Sequence, residues 1–142
     1  MIINSTKYSV YQLYEKVFYR KEILFERHDD YVQHYDVKES SLVIESILIG
    51  VPMPPFYMIE QRDGRKDILD GFKRMKAVLD FINNKYHLAG LCFYTEYQGC
   101  AFEQLPPMVK SRIENYELQF HIILPPVSSD MLNEIYYRLN KK

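Results

Sequence analysis

The amino-acid sequence predicts a single α+β domain in which a small mixed sheet is surrounded by helices. Apolar residues recur at helical spacing in several segments, and short β-rich runs alternate with these segments. The chain has 142 residues and no internal repeat or long linker, a length that suits one hydrophobic core. The predicted order of elements is α β α β β α β α β α, which favours helices packed around one sheet.

Residues 10–19 are predicted to form the first helix. Ser9 followed by Gln12 is typical of a capping box, and apolar residues repeat behind it at helical spacing. Residues 23–25 form a short β-leaning run, and the polar segment after it indicates a loop.

Residues 38–49 are predicted to form a core helix. Ser40 or Ser41 can cap its start, and Gly50 can end it. Glu45 and Ser46 fall inside this helix and are interpreted as a polar stripe that faces water. The proline-rich residues 52–55 follow and require an irregular, extended backbone. Rigid segments of this kind often form one wall of a binding site.

Residues 56–60 and 66–69 are predicted to form a β-hairpin, since the Asp63-Gly64 pair between them is a strong turn signal. A helix then runs from about residue 71 to about Asn83-Asn84. Asp70 is predicted to be its N-cap, and Gly71 is expected to adopt a conformation that other residues disfavour.

The remaining elements are a strand at 91–94, a helix that Leu105-Pro106-Pro107 can open, a strand over 118–124 and a last helix. Ser128, Ser129 or Asp130 can cap the last helix. Its apolar face is predicted to comprise Met131, Leu132, Ile135, Tyr136 and Leu139.

Composition excludes several classes of function. A formal net charge of −1 argues against a broad basic face for duplex DNA, because affinity for DNA comes from neutralising phosphates. No apolar run approaches the roughly 20 residues that span a bilayer, and the N-terminus lacks the pattern of a signal peptide. Cys92 and Cys100 are predicted to be buried free thiols. The expected location is therefore cytoplasmic, with no membrane partner.

The turn at residues 70–74 has the clearest chemical character. Lys73 and Arg74 lie at a helix start, where the helix dipole disfavours cations, so a bound anion would account for them. The backbone N–H groups of residues 71–74 can hold a phosphate, and Arg74 can grip a second oxygen. Asp70 can orient the turn or hold Mg²⁺. The alternative is an ordinary turn whose two basic side chains extend into solvent.

The order of motifs along the chain resembles the N-terminal domain of GmrSD-type restriction endonucleases, a member of the ParB/sulfiredoxin-like superfamily. The matching motifs are Glu45-Ser46 with the prolines that follow, Asp70-Gly71-Phe72-Lys73-Arg74, Phe102-Glu103-Gln104-Leu105-Pro106 and Arg138-Leu139-Asn140. The similarity covers nearly the whole chain, 1–142, as a single ParB/sulfiredoxin-like domain without the downstream nuclease domain.

The resemblance implies a domain that binds and hydrolyses a nucleoside triphosphate (NTP), namely ATP, GTP or CTP, with Mg²⁺, and thereby controls cleavage of foreign DNA. It implies phosphate binding by Asp70, Gly71, Phe72, Lys73 and Arg74, with Asp70 as the catalytic and metal-binding candidate. Secondary site residues are then Arg27, Glu45, Ser46 and Pro54.

Two positions depart from the family's turn, which usually reads DGQQR. Phe72 and Lys73 replace both glutamines, which puts hydrolysis in question. Two hypotheses follow. The first is a nucleotide-binding regulatory domain that acts with DNA or a partner nuclease. The second is a degenerate, non-catalytic module that binds DNA or protein.

Overall fold

The computed structural model of the protein describes residues 1–25 and 35–140. This part of the chain contains five α-helices and one four-stranded sheet, so the predicted α+β class is confirmed. The elements in chain order are β1 (Ile3–Ser9), α1 (Val10–Phe18), α2 (Val37–Ile49), β2 (Phe56–Glu60), β3 (Lys66–Asp70), α3 (Phe72–Ile82), α4 (Pro107–Glu114), β4 (Glu117–Ile123) and α5 (Ser129–Asn140).

The sheet has the strand order β1-β4-β2-β3. β4 pairs antiparallel with β1 and parallel with β2, and β2 and β3 form the predicted antiparallel hairpin. The sheet is therefore mixed, as expected. One face of it is apolar, with Phe56 and Met58 of β2 beside Phe120 of β4, all fully buried. These side chains join those of α1 to α4 in one hydrophobic core, which positions the end of β3 next to the start of α3.

Two strand predictions differ from the structure. β1 was not predicted, because its residues are mostly polar and exposed, yet it pairs with the whole of β4, from Ile3 opposite Ile123 to Ser9 opposite Glu117. Conversely, residues 91–94 form no strand. Residues 23–25 are reduced to one isolated bridge between Ile23 and Lys66. Strand pairing is decided by long-range partners, which a local pattern does not reveal.

The helix starts are partly as predicted. Ser9 and Gln12 form the expected capping box of α1, and Gly50 ends α2 in a left-handed conformation. The N-cap of α2 is Asp36, which forms a capping box with Glu39, so the prediction of Ser40 or Ser41 was wrong. The hydroxyl of Ser41 is instead buried and accepts a hydrogen bond from the N–H of Ala89 (3.0 Å).

α5 packs less tightly than its sequence predicts. None of its residues is fully buried, and Met131 and Tyr136 of the predicted apolar face are 47% and 53% exposed. The other three apolar residues of that face are only half-buried, and the helix packs on β3. The cap residue is Ser128, whose hydroxyl accepts from the N–H of Met131 (3.2 Å).

Three further observations bear on the predictions from composition. Cys92 and Cys100 are free thiols as predicted, but Cys92 is exposed, so its predicted burial was wrong, and Cys100 is only half-buried. Several tyrosine rings lie at the surface, among them Tyr11, Tyr19 and Tyr137. In the described part of the chain, no helix has the length and apolar character that crossing a membrane requires.

Candidate functional site

The turn between β3 and α3 has the glycine-dependent geometry that the sequence predicts. Gly71 has φ +103° and is itself the N-cap of α3, whereas Asp70 is the last residue of β3. The prediction of Asp70 as N-cap was therefore wrong. A Cβ atom at Gly71 would overlap Cδ1 of Phe56 and lie 3.0 Å from Nη2 of Arg74. Both the backbone conformation and the space thus require glycine.

A cavity of about 430 Å³ opens at this turn. Its volume lies in the range of small-molecule sites. The cavity brings together most of the residues that the sequence singles out, and its described lining comprises Tyr35, Pro54, Ile68, Leu69, Asp70, Gly71, Phe72, Lys73, Arg74, Tyr136 and Asn140.

The start of α3 lies in the wall of this cavity. The first hydrogen bond of the helix runs from the N–H of Met75 to the carbonyl of Gly71 (3.0 Å), and no side chain caps the helix. The N–H groups of the first turn have no acceptor within the helix, and they carry the positive end of its dipole. This geometry suits an anion at the cavity wall.

Arg74 is held by the protein itself. Its guanidinium donates to the carbonyls of Pro54 and Pro55 and lies 3.9 Å from the carboxylate of Asp70. Burial lowers the pKa of Arg74, and the charges of Asp70 and Tyr35 partly oppose this shift. Arg74 therefore fixes the proline segment against the turn and forms part of the cavity lining.

Lys73 and Phe72 differ in what they present to the cavity. The ammonium of Lys73 lies 5.6 Å from the centroid of the Tyr35 ring and forms no ion pair with a carboxylate in the described residues. The ring of Phe72 is 7% exposed and stacks on Phe25, with centroids 5.0 Å apart. Lys73 thus brings a cation to the site, whereas Phe72 contributes mainly its backbone.

Asp70 is the one carboxylate among the described lining residues. Within residues 1–25 and 35–140, no group of three or more His, Cys, Asp or Glu side chains could hold a metal ion. Mg²⁺ is commonly held in proteins by one or two carboxylates together with water and substrate phosphates. Asp70 fits that kind of site, and a metal there would depend on the nucleotide for its other ligands.

The structure does not bring the remaining predicted site residues to the cavity. The hydroxyl of Ser46 donates to the carbonyl of Leu42 within α2 (2.9 Å), and neither Ser46 nor Glu45 is among the lining residues. Arg27 lies outside the described residues.

Glu45 is a buried structural carboxylate, so its interpretation as part of a stripe facing water was wrong. It is 3% exposed and accepts hydrogen bonds from the N–H groups of Cys92, Phe93 and Tyr94 (2.8–3.0 Å). Burial alone would raise the pKa of Glu45, but these three donors lower it below its usual value. The same hydrogen bonds hold residues 92–94 in an irregular conformation instead of a strand.

Two lining residues, Tyr136 and Asn140, were not predicted as site residues. They are one turn apart at the end of α5, and they line the same cavity as the turn because α5 packs on β3. The local signals were their spacing of four residues on a helix and, for Asn140, the Arg138-Leu139-Asn140 motif of the resemblance.

No family model, no curated protein and no solved structure matches this chain. The resemblance to the GmrSD-type domain therefore stays a prediction from the motifs.

Proposed function

We propose that the chain binds a nucleoside triphosphate, with the phosphates at the turn formed by residues 70–74. The observation that carries this proposal is the uncapped start of α3, which opens into a cavity of about 430 Å³ beside the ammonium of Lys73. A phosphate there would accept from backbone N–H groups and from Lys73 at once, and charge-assisted hydrogen bonds of this kind are the stronger ones.

The other lining residues have supporting roles in this proposal. Arg74 holds the carbonyls of Pro54 and Pro55 and so keeps the proline wall next to the phosphates. Asp70 is the candidate for Mg²⁺ and for the catalytic group of hydrolysis. Magnesium would supply charge neutralisation at the phosphate oxygens. Because the Phe72 ring packs in the core, its side chain cannot orient a water, and hydrolysis is proposed to rest on Asp70 alone.

The resemblance of the motifs extends the proposal to a biological role. Nucleotide binding would regulate a restriction or phage-defence system in the cytoplasm, through DNA or a partner nuclease. The support is the ordered set of motifs together with the placement of Pro54, Asp70, Gly71, Lys73 and Arg74 around one cavity.

Calorimetric titration tests the binding step. ATP, GTP and CTP, each with Mg²⁺, are titrated into the full chain and into Lys73→Met, with inorganic tripolyphosphate as a probe of the phosphate site alone. We expect binding to the wild type and an affinity about 10-fold lower for Lys73→Met, as for loss of one charge-assisted hydrogen bond.

The matched control is Lys7→Met, an exposed lysine on β1 at the opposite edge of the sheet. It removes the same charge and should bind like the wild type. If no triphosphate binds the wild type, or if Lys73→Met binds as well as the wild type, the proposal is wrong.

A second candidate function is a non-catalytic module that binds protein or DNA. Exposed apolar side chains favour a protein partner: the Phe93 side chain is 75% exposed, and Leu42 and Ile49 of α2 are exposed as well. The N–H of Phe93 donates to the carboxylate of Glu45, which comes between Leu42 and Ile49 in the chain. An apolar group of this kind is typical of interaction surfaces. A gel-shift series over increasing salt tests the DNA alternative, since phosphate contacts weaken steeply with salt.

A further inference from the structure

We infer that Tyr136 and Asn140 of α5 recognise the base of the bound nucleotide and favour a base with an amino group at position 6 of a purine or position 4 of a pyrimidine, that is adenine or cytosine. This inference rests on the proposed function, because it assumes that the phosphates occupy the turn at residues 70–74. It adds a specificity that the turn itself cannot supply, since the phosphates are the same in every NTP.

The position of the two residues carries the first step. Both line the same cavity as the turn, and both belong to α5, whereas the phosphate-binding turn at residues 70–74 joins β3 to α3. A nucleotide whose phosphates lie at the start of α3 extends its base toward another wall of this cavity. The wall formed by α5 offers one aromatic ring and one amide.

Tyr136 suits the face of a base. Its side chain is 53% exposed, so the ring is not taken up by the core. Stacking on an aromatic ring contributes to the binding of any base and does not discriminate between bases. Tyr136 therefore supplies affinity, and discrimination must come from a hydrogen-bonding group beside it.

Asn140 is that group. Its amide nitrogen donates to the carbonyl of Tyr136 (2.8 Å), so the orientation of the amide plane is set by the helix. Oδ1 accepts no hydrogen bond from a described residue. The side chain therefore enters the cavity wall with a vacant acceptor, while one of its two donors is occupied.

An acceptor in this position distinguishes bases by one functional group. The amino group N6 of adenine or N4 of cytosine donates to such an oxygen, whereas the carbonyl of hypoxanthine or uracil at the same ring position places two acceptors together. A nucleotide with the carbonyl base therefore forms one hydrogen bond fewer with the protein, and its affinity should be about 10-fold lower.

Two pairs of nucleotides test this contact. ATP and ITP differ at position 6 of the purine and in the proton that hypoxanthine carries on N1, and CTP and UTP differ at position 4 of the pyrimidine and in the proton that uracil carries on N3. The four dissociation constants are measured by calorimetry on the full chain, on Asn140→Leu and on Asn133→Leu. Asn133 is an exposed residue earlier on α5 that lines no described cavity, so it provides the matched control.

We expect at least one pair to show about a 10-fold preference for the amino base in the wild type and in Asn133→Leu. In Asn140→Leu that ratio should fall to about 1, while inorganic tripolyphosphate binds unchanged to all three proteins. Tyr136→Ala should weaken every nucleotide about equally and leave tripolyphosphate unaffected.

Failure of the inference is distinguishable from failure of the proposed function. Equal binding within both pairs by the wild type, or a preference that survives in Asn140→Leu, overturns base recognition while nucleotide binding stands. Absence of binding by all four nucleotides and by tripolyphosphate overturns both.

Discussion

The guanidinium of Arg74 lies over the ring of Phe56, with its central carbon 4.3 Å from the ring centroid. The same group donates to two consecutive carbonyls, those of Pro54 and Pro55, which directly precede that ring in the chain. The planar guanidinium of arginine can stack on the ring and donate to both carbonyls at the same time, whereas a lysine ammonium cannot make all of these contacts. One side chain of α3 thus fixes the entry into β2.

Arg74→Lys keeps the charge and removes the fork. We expect the free energy of unfolding to fall by about 2 kcal/mol, because at least one carbonyl loses its donor and the stacking on Phe56 is lost. Urea unfolding followed by circular dichroism measures the change. The matched control is Arg65→Lys, where the arginine is half-exposed and pairs with Asp63, and there a change within about 0.5 kcal/mol is expected. Equal losses in the two variants would contradict the role assigned to Arg74.

Gly71→Ala should be among the most destabilising alanine substitutions of a glycine in this chain. The alanine would have to adopt φ +103°, which is strained for a residue with a side chain, and its Cβ would also overlap Phe56. We expect the free energy of unfolding to fall by about 3 kcal/mol in total. Gly64→Ala is the control, because Gly64 has φ +90° and no atom within 4 Å of the added Cβ, so only the backbone term of about 1 kcal/mol remains. Thermal and urea unfolding of both variants give the difference. A Gly64 variant as unstable as the Gly71 variant would show that crowding at Phe56 is unimportant.

Glu45→Gln should lower stability and change its dependence on pH. The pKa of Glu45 is lowered below the ordinary value of 4.5, so the ionised carboxylate stabilises the fold above about pH 4.5. That contribution is lost as the pH falls through the lowered pKa in the folded state. Glutamine cannot supply a negative charge to the three N–H donors, and at neutral pH we expect a loss of about 3 kcal/mol.

The measurement for Glu45 is the free energy of unfolding between about pH 6 and about pH 3. The wild type should lose stability on acidification more steeply than Glu45→Gln. Glu117→Gln, an exposed position at the start of β4, should keep the wild-type slope. Parallel curves for the wild type and Glu45→Gln would refute the assigned contribution of the carboxylate.

Asp70→Asn tests the metal in the proposed function. The substitution preserves size and removes the one carboxylate of the described cavity wall. We expect ATP, GTP or CTP to bind the wild type more tightly with Mg²⁺ than without, and this gain to be lost in Asp70→Asn. The control is Asp80→Asn, since Asp80 pairs with Lys76 on α3 and does not line this cavity. A gain from Mg²⁺ that persists in Asp70→Asn would place the metal elsewhere.

The sequence alone determined the features that depend on neighbours in the chain. The capping box at Ser9, the Asp63-Gly64 hairpin, the left-handed Gly50 and Gly71 and most helix spans follow from local backbone preferences. The turn at residues 70–74 belongs to this group, because a strand, a glycine and a helix start are consecutive. The predicted α+β class follows from the same local periodicities.

Only the tertiary structure decided the features that depend on distant partners. β1 forms a strand because β4 pairs with it along its whole length. Glu45 is buried because the backbone N–H groups of residues 92–94 donate hydrogen bonds to its carboxylate. Tyr136 and Asn140 reach the cavity because α5 packs on β3. Burial, hydrogen bonding and strand pairing depend on residues that are far apart in sequence. The packing of the whole domain therefore determines them, and a local sequence pattern does not predict them.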